Sequence, residues 1–350
     1  MKIAQIAPLA ESVPPQRYGG TERIVSYLTE ELVRQGHDVT LFASGDSTTS
    51  AELHATIPTA LRLNTSAKDP WPYAVMQLEH VRRRADEFDV LHFHWDYLHF
   101  PLMRALGYSN TLTTMHGRLD LADYPKLFDT FSDAALVSIS DQQRQPLARC
   151  NWAGTVHHGL PANVCRFEPR PRGDYVAFLG RISPEKRVDR AIEIAGRAGL
   201  KLRIAAKVDA ADQKYFHDCI EPLLTQPHVE FVGEIGEREK GNFLGQARAL
   251  LFPIDWPEPF GLVMIEAMSC GTPCVAWRAG SVPEIITEGS NGFIVDSVEG
   301  AVAAVHEAVH LDRRAVRASF QQRFSVERMT RDYVEIYRRL VARRLGKAAA

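Results

Sequence analysis

The segment LLFPIDWPEPFGLVMIEAMSCG, residues 250–271, contains the three parts from which parallel α/β sheets are built. Its first six residues, LLFPID, are mostly apolar and have the length of a strand. WPEPFG is a loop rich in Pro, and the following apolar run has helical length and ends at Gly271. Glu258 lies in the loop, and Glu266 lies about one and a half turns into the helix. The segment therefore predicts a strand, a loop and a helix, with one carboxylate beyond the strand and another inside the helix.

Similar units occur on both sides of RFEPRPRG, residues 166–173, where two prolines and a glycine interrupt the apolar periodicity. In the first half we predict strands at 3–7, 37–44, 89–94, 111–115, 134–139 and 155–157. In the second half we predict strands at 175–180, 200–206, 229–232, 249–252, 273–277 and 292–295. Strands that alternate with helical segments indicate parallel sheets. We therefore expect an α/β chain of two doubly wound domains, residues 1–165 and 166–325, followed by a helix in residues 326–350.

The composition narrows the class of protein. The chain has 350 residues, 45% of them hydrophobic and 24% charged, which is typical of globular material with about two domains. A formal net charge of -2 indicates no general attraction to nucleic acid. No apolar run approaches the ~20 residues of a membrane-spanning helix, and MKIAQIAPLAE does not resemble a signal peptide, so we expect a cytoplasmic protein. The five cysteines include no C-x-x-C pair, which argues against a disulfide framework or a zinc site.

Two further loops that lead from a strand into a helix carry candidate binding residues. In RYGGTER, residues 17–23, Gly19 and Gly20 allow a close approach of the backbone, and the following helix start favours an oxyanion; a tight structural turn explains them equally well. In GRISPEKR, residues 180–187, Arg181 and Lys186 are either solvated cations or a clamp for a diphosphate. Glu258 and Glu266 likewise have two interpretations, because carboxylates bind sugar and ribose hydroxyls but also cap helices and pair with cations.

Six motifs occur in a characteristic order along almost the whole chain. They are YGGTER, TMHG at 114–117, FLGRISPEK, the two glutamates separated by seven residues, GTPCVAWRAGSVPEII and NGFIV. Together they resemble the E-x7-E signature and accompanying motifs of the retaining glycosyltransferases of family 4. The resemblance implies the GT-B fold, in which two Rossmann-like domains face a central cleft and a C-terminal helix packs back toward the N-terminal, acceptor-binding domain.

The resemblance also implies a role for each matching residue. Arg181 and Lys186 would bind the donor diphosphate, Glu266 the ribose, and Glu258 and His116 the transferred sugar. Four residues would act in catalysis: His116, Arg181, Lys186 and Glu258. The donor would be bound by Gly20, Arg181, Lys186, Lys207, Val232, Gly233, Ile235, Glu258, Phe260, Gly261, Leu262, Val263 and Glu266. The acceptor would meet Tyr18, Gly19, His94 and Asp96.

The same resemblance implies a mechanism and excludes some alternatives. The acceptor hydroxyl would attack from the face that the nucleotide leaves, and a leaving phosphate oxygen would take its proton. We expect no metal and no other cofactor, because cations at Arg181 and Lys186 can replace a metal and no D-x-D motif is present. The donor would be a UDP-, GDP- or ADP-sugar. A sugar phosphorylase on the same fold stays open, whereas a dehydrogenase is disfavoured because no G-x-G-x-x-G follows a strand.

Some segments depart from the family pattern or allow two interpretations. HHGLP has His158 where the family often has Asn, and Gly280-Ser281 replaces a common Gly-Gly pair. HFHWDYLHF, residues 92–100, has the histidine density of a metal site, although structural or acceptor-binding roles are favoured. In the terminal helix, the basic residues form either a solvated face or a contact with an anionic membrane surface. They are Arg338, Arg339, Arg343, Arg344 and Lys347.

Overall fold

The chain forms two compact units, each built on one parallel sheet. The computed structural model describes residues 1–16 and 19–348, so Tyr18 and the side chain of Lys347 lie outside the described part. The first unit comprises Met1–Gly159 together with the C-terminal segment from Val326, and the second comprises Leu160–Ser325. The predicted boundary lies a few residues later, at 165. Leu160 belongs to the second unit because its N–H donates to the carbonyl of Phe324 at 2.9 Å.

The first sheet has seven parallel strands in the order β3-β2-β1-β4-β5-β6-β7. The strands are β1 Lys2–Ile6, β2 Asp38–Ala43, β3 Glu52–Ala55, β4 Val90–Phe93, β5 Thr111–Thr114, β6 Leu136–Ser138 and β7 Trp152–Thr155. Strand β3 was not predicted, because its sequence ELHA is polar and half-exposed at the sheet edge and gives no apolar signal. The last strand was predicted too late, at 155–157. Its first residues pair with β6, and Trp152 lies beside Leu136.

The second sheet has six parallel strands in the order β10-β9-β8-β11-β12-β13. The strands are β8 Tyr175–Arg181, β9 Lys201–Lys207, β10 Val229–Gly233, β11 Leu250–Phe252, β12 Cys274–Trp277 and β13 Gly292–Val295. All six overlap the predicted strands. The prediction of an α/β chain with two doubly wound parallel sheets is therefore confirmed.

Helices connect the strands in both units. Their bounds are α1 Gly20–Arg34, α2 Trp71–Arg84, α3 Phe100–Ala105, α4 Tyr124–Thr130, α5 Val188–Arg197, α6 Gln213–Tyr215, α7 Glu237–Gln246, α8 Leu262–Ser269, α9 Val282–Ile285, α10 Val298–Ala308, α11 Arg313–Arg323 and α12 Val326–Ala348. A π-helical turn, Phe216–Ile220, extends α6. None of the helices in the described residues combines the length and the hydropathy that a membrane span requires.

The C-terminal helix α12 is part of the core of the first unit. Its apolar face is buried and consists of Met329, Tyr333, Ile336, Tyr337 and Leu340. The hydroxyls of Tyr333 and Tyr337 reach polar side chains of the first sheet. The helix therefore contributes hydrogen-bonding groups as well as apolar area, which is how buried tyrosines are usually satisfied.

Candidate active site

Each sheet reverses its strand order at one place, and the candidate residues lie in the loops beside it. In the first sheet the reversal falls between β1 and β4, and in the second between β8 and β11. Parallel sheets bind ligands beyond the carboxyl ends of the strands at such points. In the second sheet, the loop after β8 carries Lys186 and the loop after β11 carries Glu258. A backbone hydrogen bond of 2.8 Å from Asp255 N–H to the Glu185 carbonyl joins these two loops.

The ammonium group of Lys186 contacts a carboxylate oxygen of Glu258, and the indole N–H of Trp256 donates to the same oxygen at 2.9 Å. The ammonium also lies 5.0 Å from the Trp256 ring centroid, within cation–π range. The side chains of Lys186 and Glu258 are 18% and 11% exposed. Lys186 closes a short 3₁₀ turn, Pro184–Lys186, in the loop that precedes α5. The loop thus presents one cation and one carboxylate as a mostly buried pair.

The backbone of Glu258 is fixed by the segment that begins α9. A Cβ atom at Gly280 would lie 2.3 Å from the Glu258 carbonyl oxygen, and Gly280 has φ +51°, so both space and backbone favour glycine there. Ser281 donates its N–H to the same carbonyl at 3.0 Å. Its buried hydroxyl donates to the Phe260 carbonyl at 2.7 Å. The Ser at the position of the family's second Gly therefore adds a hydrogen bond that holds this loop.

The N-terminus of α8 follows directly. Gly261 has φ +82°, and a Cβ atom there would lie 2.7 Å from the Met264 methyl and 3.1 Å from the Phe252 ring. This turn positions the N–H groups of Leu262 and Val263 at the start of the helix, where no intrahelical acceptor exists for them. Phe260, which precedes the turn, is buried. The arrangement provides backbone donors and the positive end of a helix beside Glu258.

Glu266 lies in the second turn of α8 and is 5% exposed. Its carboxylate accepts a 2.7 Å hydrogen bond from Lys240 Nζ, and Lys240 also lies 3.1 Å from Glu237. Lys240, on α7, was not identified from the sequence, because nothing local links it to a residue on another helix. The buried charge of Glu266 is therefore compensated, and at least one carboxylate oxygen is committed to Lys240.

Arg181 and Lys207 are surrounded by carboxylates. Arg181 Nη2 lies 2.5 Å from Glu185, and its other nitrogens lie 3.6 Å from Asp209 and 3.7 Å from Asp212. Lys207, at the end of β9, pairs with Asp209 at 2.7 Å. A diphosphate that binds Arg181 has to compete with these groups, which the sequence alone did not indicate.

Three of the predicted donor-binding residues, Val232, Gly233 and Ile235, lie at the end of β10 and before α7. Val232 is 38% exposed, and Gly233 has φ +84°. Ile235 is half-buried in the loop that leads to Gly236, whose N–H is capped by Glu239 at 2.9 Å. Val232 and Gly233 therefore end the strand, Ile235 lies in the loop that follows it, and together they present backbone groups and an exposed aliphatic side chain.

In the first unit, His94 and His116 meet at the carboxyl ends of β4 and β5. His116 Nε2 lies 3.0 Å from His94 Nδ1, and the ring of His116 stacks on His158 with centroids 5.4 Å apart. Burial lowers the pKa of His116 to about 3, and burial and then neighbouring imidazoles hold the pKa of His94 well below its usual range. Both rings are therefore neutral at physiological pH. The backbone around His116 is clamped by Gln143, whose amide donates to the carbonyls of Met115 and Gly117 at 2.8 and 2.7 Å.

The other histidines of HFHWDYLHF have structural partners. His92 contacts Tyr337 at 2.7 Å and Thr114 at 2.8 Å, and His99 contacts Thr113 at 2.9 Å. Among the residues that the structure describes, no cluster of three or more His, Cys, Asp or Glu side chains is placed to hold a metal ion. These contacts favour the structural interpretation over a metal site.

The remaining acceptor candidates surround the loops after β1 and β4. A Cβ atom at Gly19 would lie 2.8 Å from Pro15, which explains the glycine, and Gly20 begins α1. Asp96 is exposed and has φ +36°, an unusual value for a residue other than glycine. Tyr18 lies outside the described residues.

Comparisons with known proteins agree with this architecture. A family model described as "Glycosyl transferases group 1" matches residues 166–323, and one described as "Glycosyltransferase Family 4" matches residues 18–157. The two models thus match the two units in turn and together span most of the chain.

Individual relatives and structures extend over nearly the full length. A GDP-mannose-dependent alpha-(1-6)-phosphatidylinositol dimannoside mannosyltransferase of Mycobacterium tuberculosis is 26% identical, over 93% of this chain and 92% of its own. A glycogen synthase of the same species is 25% identical, over 91% and 89%. Among solved structures, sucrose-phosphate synthase from Thermosynechococcus elongatus matches with TM-score 0.77 at 18% identity, covering 98% of this chain and 99% of its own.

The fold, the matched models and these relatives define a glycosyltransferase with the GT-B fold. More narrowly, the chain belongs to glycosyltransferase family 4. The models and named relatives are of transferases, so the alternative of a sugar phosphorylase is not favoured.

Proposed function

We propose that this enzyme transfers a sugar from a nucleoside-diphosphate sugar to an acceptor hydroxyl with retention of anomeric configuration and without a metal ion. The observation that carries the proposal is the pairing of Lys186 with Glu258 beside the reversal point of the second sheet. The cation and the carboxylate have the chemistry required by the two ends of such a donor, a diphosphate and a sugar.

Binding of the donor would exchange the partners of this pair. The diphosphate carries more negative charge than Glu258, so the ammonium of Lys186 would move to the phosphate oxygens. Glu258 would then accept hydrogen bonds from sugar hydroxyls, while Trp256 N–H continues to hold one of its oxygens. The N–H groups of Phe260, Gly261, Leu262 and Val263 would add donors from the start of α8. The pair would thus satisfy both charges before the donor arrives.

The other donor contacts would follow from the loops that end neighbouring strands. Glu266 would bind the ribose hydroxyls with the carboxylate oxygen that is not committed to Lys240. Arg181 and Lys207 would contact the phosphates or the base, with Val232, Gly233 and Ile235 beside the base. Gly20 would supply a backbone contact to the donor, and His116 would hydrogen-bond a hydroxyl of the transferred sugar.

The proposed reaction forms one bond to the anomeric carbon and breaks another. The acceptor oxygen bonds to the anomeric carbon on the face from which the nucleotide leaves, the bond between that carbon and the phosphate oxygen breaks, and a phosphate oxygen of the leaving group takes the acceptor proton. Lys186 would stabilise the negative charge that develops on the leaving diphosphate. A protein base is not needed, and the low pKa of His116 makes that imidazole a poor one.

The nucleotide is the first property to test. Some relatives are named for GDP-mannose, and solved neighbours include structures with UDP or ADP, so GDP, UDP and ADP and their sugars form the panel. A nucleotide that binds the folded enzyme raises its thermal midpoint. We expect the nucleotide of one base to do so in excess EDTA, which removes trace metals. A midpoint shift only after Mg²⁺ or Mn²⁺ is added would contradict metal independence.

The acceptor would be contacted by the first unit through Tyr18, Gly19, His94 and Asp96. We also propose that the basic side of α12 contacts an anionic membrane surface, since Arg338, Arg339 and Arg343 are exposed. Co-sedimentation with vesicles of neutral and of anionic phospholipid tests this, and equal recovery with both would contradict it. The cytoplasmic location stays a prediction.

A further inference from the structure

We infer that Gln5 is a positioning residue that fixes, through His94, which ring nitrogen of His116 faces the sugar as a hydrogen-bond acceptor. The inference rests on the proposed role of His116 and deepens it. Gln5 lies in β1, the strand beside the reversal point of the first sheet, and its side chain is fully buried. No sequence motif includes it.

A continuous chain of short contacts links Gln5 to His116. The Oε1 atom of Gln5 lies 2.7 Å from His94 Nε2, and His94 Nδ1 lies 3.0 Å from His116 Nε2. On its other side, the Gln5 amide nitrogen donates to the Tyr337 hydroxyl at 3.1 Å. Every contact therefore has hydrogen-bonding geometry, and the chain ends on the imidazole that belongs to the candidate site.

The position of each proton follows from the Gln5 amide. An amide oxygen only accepts, so His94 must carry its proton on Nε2. Because His94 is neutral, its Nδ1 then has a lone pair, which accepts a hydrogen bond from the N–H of His116 Nε2. His116 is neutral as well, so its Nδ1 is left as an acceptor. Gln5 thus selects one of two tautomers at a ring it does not touch.

The contacts on the helix side are consistent with this orientation of the amide. Tyr337, which accepts from Gln5, lies 2.7 Å from His92 Nδ1 and can donate to it. His92 Nε2 then donates to Thr114 Oγ1 at 2.8 Å, and that oxygen lies 3.0 Å from the Tyr333 hydroxyl. All hydrogen bonds of this network thus point the same way, with each donor nearer to its His116 end and each acceptor nearer to its α12 end. Reversal of the Gln5 amide would reverse all of them together.

The tautomer defines what His116 can recognise. A neutral imidazole with a bare Nδ1 accepts from a hydroxyl, but it cannot donate to a phosphate or carboxylate oxygen. The ring of His116 is held by its contact with His94 at 3.0 Å and by stacking on His158, and turning it over to offer an N–H would break the hydrogen bond to His94. His116 would therefore select a sugar hydroxyl and disfavour an acceptor-only group.

Nitrogen NMR of the wild-type enzyme tests the inference without any activity measurement. In protein labelled with ¹⁵N-histidine, the His116 signals are assigned by their loss in His116→Asn. We expect His116 Nδ1 to have the chemical shift of an unprotonated ring nitrogen and Nε2 that of a protonated one. The opposite pattern in the wild type would overturn the inference.

Variants then test the role of Gln5. Gln5→Met keeps the volume but removes the acceptor for His94, so we expect a mixture of His116 tautomers and a fall in kcat of about two- to tenfold, the size of one net hydrogen bond. Gln77→Met is the matched control, because Gln77 is also fully buried in the first unit and donates to two backbone carbonyls. We expect this control to change neither the tautomer nor kcat. A wild-type tautomer in Gln5→Met would show that Gln5 does not set it.

The outcomes separate this inference from the proposed function. If the tautomer is as expected but no nucleotide sugar is consumed, the hydrogen-bond chain stands and the proposed function fails. If sugar transfer occurs and the tautomer is reversed, the function stands and the role of Gln5 fails.

Discussion

Replacing Lys186 by Met should damage catalysis far more than stability. Breaking a fully buried ion pair costs about 3–5 kcal/mol, whereas an exposed pair contributes about 0–1 kcal/mol. The side chains of Lys186 and Glu258 are 18% and 11% exposed, and Trp256 N–H remains on Glu258 in the variant. We therefore expect the free energy of unfolding to fall by roughly 2 kcal/mol, less than a typical total of about 5–15 kcal/mol.

The effect on transfer should be larger, because the ammonium stabilises charge that develops only as the nucleotide leaves. Removing one such group from an active site lowers kcat by about 10²–10³. Release of the nucleoside diphosphate at saturating donor measures kcat, and urea unfolding measures stability. The comparison separates a catalytic role from simple unfolding.

A matched control is available in the same unit. Lys201 lies 2.7 Å from Asp174, and both side chains are about two-thirds exposed, at 65% and 68%. Lys201→Met should leave kcat and stability unchanged within error. If Lys186→Met keeps the wild-type kcat, or loses activity only in proportion to its unfolded fraction, the assignment of Lys186 is refuted.

Three further results are expected. Gly280→Ala should have a lower free energy of unfolding than Gly289→Ala and should lose transfer activity. Both positions have positive φ, which costs an alanine about 1–2 kcal/mol, but only Gly280 lacks space for a Cβ atom. Urea unfolding of both variants measures the difference. Glu266→Gln should weaken binding of the nucleoside diphosphate about tenfold, as measured by calorimetry. This variant should bind the 2′-deoxynucleotide no more weakly than it binds the ribonucleotide. Burial lowers the pKa of His99 and of His116 to about 3. Each histidine should therefore leave the free energy of unfolding unchanged above pH 6.5 and lower it by about 1.4 kcal/mol per pH unit between pH 6.5 and pH 3. Equal free energies of unfolding at pH 5 and pH 7 would contradict this.

Local sequence patterns predicted much of the fold and part of the candidate site. The segment from Leu250 to Gly271 predicted its strand, loop and helix because apolar runs, Pro and Gly act over a few residues. The same locality placed Glu258 in a loop after a strand and Glu266 inside a helix, and both positions are confirmed. Strand β3 was missed because an edge strand with polar residues lacks the periodic signal.

Long-range partners could not be predicted in this way. Gln5 and Tyr337 contact each other across 332 positions of the chain, and Lys240 reaches Glu266 across 26. Such contacts depend on how sheets and helices pack, which no local pattern encodes. The carboxylates around Arg181 come from two loops, so the local sequence did not indicate them either. A ligand that binds the guanidinium of Arg181 has to compete with these carboxylates.

The anomeric configuration of the first product tests the central claim most directly. The enzyme is incubated in EDTA with an α-linked nucleotide sugar, and the anomeric proton of the released or transferred sugar is followed by NMR before mutarotation. We predict an α-configured product formed at the same rate with and without EDTA. A β-configured first product, or a product that forms only after a divalent metal is restored, would contradict the account.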